Sequence, residues 1–268
     1  AAVGTLPVGV TFNADGTFSV APQSADQGLD DGESRVVTFQ YVANDGTVNS
    51  APATVTVTIN GLNDAPIASG TTATGSEDDS AISGAVPAAS DIDVENVTYA
   101  AVGTLPVGVT FNADGTFSVA PQPADQGLDD GESRVVTFQY VANDGTVNSA
   151  PATVTVTIQG KNDTPVSGGD ISATGSEDDS AISGTVPAAS DIDVENVTYA
   201  AVGTLPVGVT FNPDGTFSVA PQSADQGLDD GESRVVTFQY VANDGADNSA
   251  PATVTVTIKG LNDAPVAS

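Results

Sequence analysis

The segment Ala1-Ala-Val-Gly-Thr-Leu-Pro-Val-Gly-Val-Thr-Phe12 returns with its surroundings nearly unchanged at Ala100 and Ala200, at spacings of 99 and then 100 residues. A period of this length is far longer than a solenoid unit and matches one complete domain per copy. Boundaries fall at Asn-Asp-Ala-Pro and Asn-Asp-Thr-Pro, where Pro66 and Pro165 remove a backbone donor and end the preceding strand. The expected domains are residues 1–64, 65–163 and 164–263, with 264–268 opening a further linker. Nothing before Ala1 corresponds to the stretch from Pro66 to Tyr99, so the first domain is expected to be truncated and to lack three strands. A longer parent protein is the expected context.

Within the third copy, Val254, Val256 and Ile258 alternate with Thr253, Thr255 and Thr257, which is the period-two pattern of a half-buried strand. Arg234 to Val241 repeats it, with Val236, Phe238 and Tyr240 on one face. Val209 to Phe211 and Phe217 to Val219 flank the hairpin signal Asn212-Pro213-Asp214-Gly215. Further strands near Ile171 to Thr174, Ala181 to Val186 and Asn196 to Ala200 bring the number to seven. No helix-length apolar period is present. Seven short strands in about 100 residues predict an all-β fold of tandem immunoglobulin-like sandwiches.

Charge then narrows the function. The chain carries 35 acidic and 5 basic side chains, a net charge of −30, and has no His, Cys, Met or Trp. Without Cys or His there is no thiolate nucleophile, no disulfide framework, and neither the commonest general base nor the commonest zinc ligand. The charge repels nucleic acid and anionic lipid, and no apolar run approaches the roughly 18 residues of a membrane helix. Paired carboxylates are the one remaining route to catalysis, but no pocket-forming insertion interrupts a copy, so an enzyme is not expected.

If consecutive strands alternate in direction, the acidic loops of each copy sort to two poles. One pole takes Glu177 with its neighbours, Leu228-Asp229-Asp230-Gly231-Glu232, and the exit Asn262-Asp263. The other takes Asp191-Ile192-Asp193 and Asn243-Asp244-Gly245. Carboxylates from three segments would then meet at each linker. They repel unless a cation lies among them, and Ca2+ takes roughly 6 to 8 oxygen ligands. Simpler readings stand beside this one. Asn-Asp-Gly is also a turn signal, Asp191 and Asp193 can cap a loop through Asx hydrogen bonds, and a short acidic run such as Glu177-Asp178-Asp179 is often only a solvated loop. Asp214 and Asp225 are expected to be structural, and a high acidic charge by itself serves solubility.

The order Asp91-Ile92-Asp93-Val94-Glu95, Leu128-Asp129-Asp130-Gly131-Glu132, Ala142-Asn143-Asp144-Gly145 and Asn162-Asp163-Thr164-Pro165 resembles that of cadherin motifs. The whole unit resembles bacterial cadherin-like repeats of the VCBS type found in large RTX-type surface adhesins. The resemblance covers two full copies and most of the first. It implies Ca2+ at the first linker, held by Asp30, Glu33, Asn63, Asp64, Asp91, Asp93 and Asp144. At the second it implies Glu77, Asp129, Glu132, Asn162, Asp163, Asp191, Asp193 and Asp244. Glu177, Asp229, Glu232, Asn262 and Asp263 form the corresponding set at the exit of the third copy. Two departures are visible: Gly61 and Gly160 stand where cadherin linkers carry a first Asp, and Leu-Asp-Asp-Gly-Glu replaces Leu-Asp-Arg-Glu. They imply one or two ions per junction where cadherins hold three, and leave open whether Asp129 or Asp130 is the ligand.

The function these readings imply is that of an extracellular, calcium-stiffened spacer of a cell-surface adhesin. Each repeat would add perhaps ~40 Å, from strands of seven to ten residues with their loops. Its partners would be the neighbouring repeats. The alternative is lateral or end-to-end assembly of identical chains into a fibre or sheath.

Overall fold

The computed structural model describes residues 1–93, 96–193 and 196–264. Val94 and Glu95 of the quoted motif, their counterparts in the third copy, and the last four residues lie outside the described set. The chain packs into two compact units. One comprises Ala1–Gly75, Asp79–Ala120 and Val135–Thr157, the other Ser76–Asp78, Pro121–Arg134 and Ile158–Ser268. All residues assigned above to the first linker fall in the first unit, and all those assigned to the second linker fall in the second unit.

The first repeat contains strands β1 (Ala2–Val3), β2 (Val10–Phe12), β3 (Phe18–Val20), β4 (Ser34–Tyr41) and β5 (Ala53–Asn60). The second contains β6 (Thr71–Ser76), β7 (Ile82–Ala85), β8 (Thr98–Val102), β9 (Val109–Phe111), β10 (Thr116–Val119), β11 (Ser133–Asn143) and β12 (Ala152–Gln159). The third contains β13 (Ile171–Ser176), β14 (Ile182–Thr185), β15 (Thr198–Val202), β16 (Val209–Phe211), β17 (Thr216–Val219), β18 (Ser233–Asn243) and β19 (Ala252–Lys259). The only helical elements among the described residues are short 3-10 turns at Ser24–Gly28, Asp125–Gly127 and Asp225–Gly227.

In the third repeat one sheet runs β13-β19-β18-β15 and the other β14-β17-β16. The first and last strands pair in parallel, Ile171 opposite Val254 through Ser176 opposite Lys259. That is the outcome expected of seven strands that reverse direction at each step. The second repeat has the same two sheets, β6-β12-β11-β8 and β7-β10-β9. The first repeat keeps the pairs β4-β5 and β2-β3, with β1 as a two-residue stub of its third strand, Ala2 opposite Tyr41 and Val3 opposite Gln40. Its truncation therefore removes the counterparts of β13 and β14 entirely and most of the counterpart of β15, not three whole strands.

The inward row of β19, Val254, Val256 and Ile258, is fully buried and meets Val236, Phe238 and Tyr240 of β18 and Phe217 and Val219 of β17. Phe217 stands edge-on to Phe238 at 6.0 Å between ring centres, a favoured aromatic geometry. Tyr240, with no exposed surface, donates its hydroxyl hydrogen to the Gly169 carbonyl at 2.7 Å, so the ring is buried without leaving a polar atom unpaired. The hairpin signal performs as read: Gly215 has φ +81°, and Asp214 accepts hydrogen bonds from the Thr216 amide and hydroxyl.

Asp225, read from sequence as structural, has a partner that sequence reasoning missed. Arg234 forks onto its two oxygens through Nε and Nη2, and the Gln222 amide donates to it at 2.6 Å. The carboxylate is buried at 2% exposure, and the same fork joins Arg134 to Asp125 and Arg35 to Asp26. These ion pairs engage three of the chain's five basic residues. Each ties a 3-10 turn to the start of the following long strand, and thereby fixes the path of the acidic loop between them.

Candidate metal centre

The second linker is the better-furnished site. Glu77 follows the last residue of β6 and is buried at 2% exposure. Its Oε1 accepts from the Lys161 amide at 2.7 Å and its Oε2 from the Leu128 amide at 3.3 Å. Its own backbone carbonyl accepts from the Gln126 side chain at 2.7 Å. Glu77 is thus seated between the linker and the acidic loop. Carboxylate oxygens of Glu77, Asp163 and Asp193 lie within 4.8 Å of one another.

Asp191 and Asp193 each use one oxygen locally. Asp191 Oδ1 accepts from the Asp193 amide at 3.1 Å, and Asp193 Oδ2 from the Asp163 amide at 2.5 Å. The Asx reading is therefore correct for those atoms, but the other oxygens, Asp191 Oδ2 and Asp193 Oδ1, are buried without a hydrogen-bond partner. Burying an unpaired carboxylate oxygen is costly. Four such side-chain atoms occur among the described residues, and all belong to Asp91, Asp93, Asp191 and Asp193.

Asp244 combines both of its sequence readings. Its Oδ1 closes the turn by accepting from the Ala246 and Asp247 amides, while its Oδ2 receives the Asn162 side chain at 3.3 Å. Asn162 also donates to the Asp163 carbonyl at 2.8 Å, leaving its own side-chain oxygen for another partner. Asp129 accepts from the Asp130 amide, and Glu132 from the Asp129 amide at 3.3 Å. The Asp129 charge reaches Asp193 and helps to raise its pKa, which favours Asp129 over its neighbour as the member facing the site.

The first linker repeats much of this within its own unit. Asp64 donates its amide to Asp93 Oδ2 at 2.5 Å, Asp93 donates its amide to Asp91 Oδ1 at 3.1 Å, and Asn63 donates to Asp144 Oδ2 at 3.0 Å. Asp30 and Glu33 make the same local bonds as Asp129 and Glu132. Absent from this chain is a counterpart of Glu77, because the strand that would carry it is missing from the first repeat. The exit set of the third repeat is partly assembled: Glu177 is buried and receives the Leu261 and Leu228 amides, Asp229 donates its amide to Glu232, and Asn262 donates to the Asp263 carbonyl.

The linker glycines have a steric explanation. A Cβ on Gly260 would lie 2.5 Å from the carbonyl oxygens of both Leu228 and Asp229, and Gly61 and Gly160 are crowded still more closely by the equivalent loops. Proximity forces this choice, since none of the three has a left-handed φ. The linker lies against the acidic loop, with the Gly160 amide donating to the Glu132 carbonyl at 3.0 Å. A first linker Asp of the cadherin kind would not fit. Gly160→Ala is expected to lower stability by about 1–3 kcal/mol, the usual range for overpacking, measurable as a lower denaturant midpoint at unchanged slope.

Electrostatics divide the site's carboxylates. Burial pushes Glu77 and Asp193 above the usual carboxylate range, with neighbouring acids adding to the rise. The Val147 amide, the Asn63 side chain and the Thr146 amide pull Asp144 below it. A group with a raised pKa in the folded state contributes stability that is complete below its unfolded pKa and is lost as pH rises through the folded value. In metal-free buffer the melting temperature should therefore climb as pH falls from 7 toward the ordinary carboxylate range near ~4. Below that range it should drop as Asp144 and Asp125, both lowered, take up protons. A flat profile across this interval would contradict the geometry.

An all-oxygen donor set with buried, unpartnered carboxylate oxygens suits a hard divalent cation, and Ca2+ accepts the irregular geometry and mixed carboxylate and amide ligands present here. No helix among the described residues is long and apolar enough to cross a membrane.

The Bacterial Ig domain family matches residues 63–157 and again 162–257. Among solved structures, mouse clustered PcdhgC3 EC1-3 is similar at 16% identity, over 97% of this chain and 88% of that one, with a TM-score of 0.50. Mouse Cadherin-23 EC22-24 is similar at 16% identity, over 95% of this chain and 82% of that one, also with a TM-score of 0.50. At this identity the likeness is one of fold. No curated protein matches the chain. Domains of the matched family are typically extracellular structural modules. With its family profile matched twice in succession, the chain belongs to the Bacterial Ig domain family, in the form of tandem β-sandwiches with cadherin-like structural neighbours.

Proposed function

We propose that this chain is a calcium-stiffened spacer of a bacterial surface adhesin of the VCBS type, in which ions at the linkers turn a flexible string of repeats into an extended array. The observation that carries the reading is the pairing of two orphaned oxygens at each linker, Asp91 Oδ2 with Asp93 Oδ1 and Asp191 Oδ2 with Asp193 Oδ1, beside further acids that would otherwise only repel. At the second linker Glu77, Asp163, Asp191 and Asp193 would hold the ion. Asp129, Glu132, Asn162 and Asp244 would complete its surroundings. At the first, Asp64, Asp91 and Asp93 would form the centre, with Asp30, Glu33, Asn63 and Asp144 around it. The domain limits 1–64, 65–163 and 164–263 belong to the same reading.

The ion supplies charge neutralisation and a common ligand for segments that otherwise repel. The chain's own part is to fix each carboxylate by one structural hydrogen bond and leave the other oxygen free. Extracellular calcium modules bind in roughly the 10⁻⁴ to 10⁻³ M range, so the array would be loaded outside a cell. Isothermal calorimetry paired with solution scattering tests this. Calcium binding in that range, accompanied by an increase in maximum dimension over chelator, is the expected result. The absence of binding at 10 mM Ca2+ would overturn the proposal.

A further inference from the structure

The chain's charge is segregated in a way the linkers do not require. No described strand contains an Asp or Glu, so the described acids all lie in loops and turns. In the third repeat the outer face of the sheet β13-β19-β18-β15 is built of cross-strand ranks. Thr237, Thr255 and Ser172 form one rank, and Val235, Thr257 and Thr174 the next. Val235 is 55% exposed, and Val202 on the edge strand β15 is 43% exposed. On the outward positions of this sheet the one ionic side chain among the described residues is Lys259, at the end of β19. The first repeat has the same outward residues, with Val36 opposite Thr58 and Thr38 opposite Thr56.

We propose that this uncharged Thr-Val face is a self-association surface, on which the occupant is the same face of a second copy of the chain. Two molecules of net charge −30 repel along any approach that brings their loops together. Contact between neutral strand faces keeps the acidic poles apart. Hydroxyl groups both donate and accept, so a rank of Thr and Ser complements itself across a two-fold axis, as an isologous contact requires. A lipid surface is disfavoured by the chain's charge, and no aromatic side chain stands on the face to stack a sugar ring. Four strands at roughly 4.8 Å spacing and about 20 Å of length cover about 400 Å². That is half of the roughly 800 Å² per partner in a standard interface, so contact through one repeat is weak. The association is therefore concentration-dependent and is strengthened by salt, which screens the acidic loops.

Sedimentation of the full chain over a range of concentrations, at low and at about 0.5 M NaCl, in calcium and in chelator, tests the proposal. The wild type should gain mass with concentration and more so at high salt. The triple variant Thr38→Glu, Thr137→Glu, Thr237→Glu should associate at least about ten-fold more weakly, since facing like charges oppose docking. The corresponding triple Lys variant should also be weakened, and an equimolar mixture of the Glu and Lys variants should recover association. Circular dichroism melting keeps the reading clean, because these exposed sites should leave the fold intact. A wild type that stays monomeric at high salt and high concentration would overturn the proposal, as would Glu variants that associate like the wild type or a mixture that fails to recover. Calcium binding and the calcium-dependent melting shift are read separately on the same samples. They judge the spacer proposal, so that either idea can fail alone.

Discussion

Asp163→Asn combined with Asp193→Asn should abolish the calcium-dependent rise in melting temperature contributed by the second linker, and should raise the melting temperature in chelator. The two changes run in opposite directions for one reason. Without an ion, oxygens of Glu77, Asp163 and Asp193 crowd within 4.8 Å and one Asp193 oxygen is buried unpaired, so removing two charges relieves the fold. With an ion, the same two charges are its ligands. At 10 mM Ca2+ and a dissociation constant of 10⁻⁴ to 10⁻³ M, mass action gives roughly 1.4 to 2.7 kcal/mol per site. For repeats of this size that amounts to several degrees. Glu77→Gln is a poorer probe, because both Glu77 oxygens already accept backbone amides and the new NH2 would face a donor. Scanning calorimetry of both proteins in calcium and in chelator checks the prediction. A double variant that melts like the wild type in both buffers would show that no cation is bound at this linker.

Arg134→Met should destabilise the chain by roughly 2–4 kcal/mol, in the lower part of the range for breaking a buried pair, because the guanidinium is itself 38% exposed. The loss comes from Asp125, at 2% exposure, which would keep only the Gln122 amide as a partner. The arginine now holds the Asp125 carboxyl below its usual range, so its removal should also shift the acid limb of stability toward neutral pH. Because this fork fixes the turn that carries Gln126 and leads to Leu128, calcium affinity at the second linker should weaken as well. Asp125→Asn with Arg134→Met should recover part of the loss, since no uncompensated charge remains. Denaturant unfolding and calorimetric calcium titration measure the two effects.

Most of the fold was legible because strand alternation is nearly unbroken. Thr253 to Ile258 states its register in the residue types themselves, and the Asn-Pro-Asp-Gly turn marks a reversal that no other reading fits. The gathering of acids at the linkers was legible from strand direction alone. Less accessible was the division of labour inside each carboxylate. Sequence offers Asp193 as either a loop cap or a ligand, whereas one of its oxygens takes the Asp163 amide and the other is left bare. The fork from Arg134 to Asp125 went unread because nine residues separate the partners and the turn between them has no periodic signal. Gly160 looked like the loss of a ligand. Only the closeness of the Leu128 and Asp129 carbonyls shows it to be the one residue that can lie there.

The parallel pairing of β13 with β19 has a mechanical consequence. The entering and leaving strands of the third repeat are adjacent and in register over six residue pairs, from Ile171 with Val254 to Ser176 with Lys259. Tension applied through the two ends of the repeat would pull these strands in opposite senses along their length. The hydrogen bonds between them would be loaded together in shear, not peeled one at a time from an end. A tethered repeat of this topology would yield abruptly and at high force, holding its length until the whole ladder gives way.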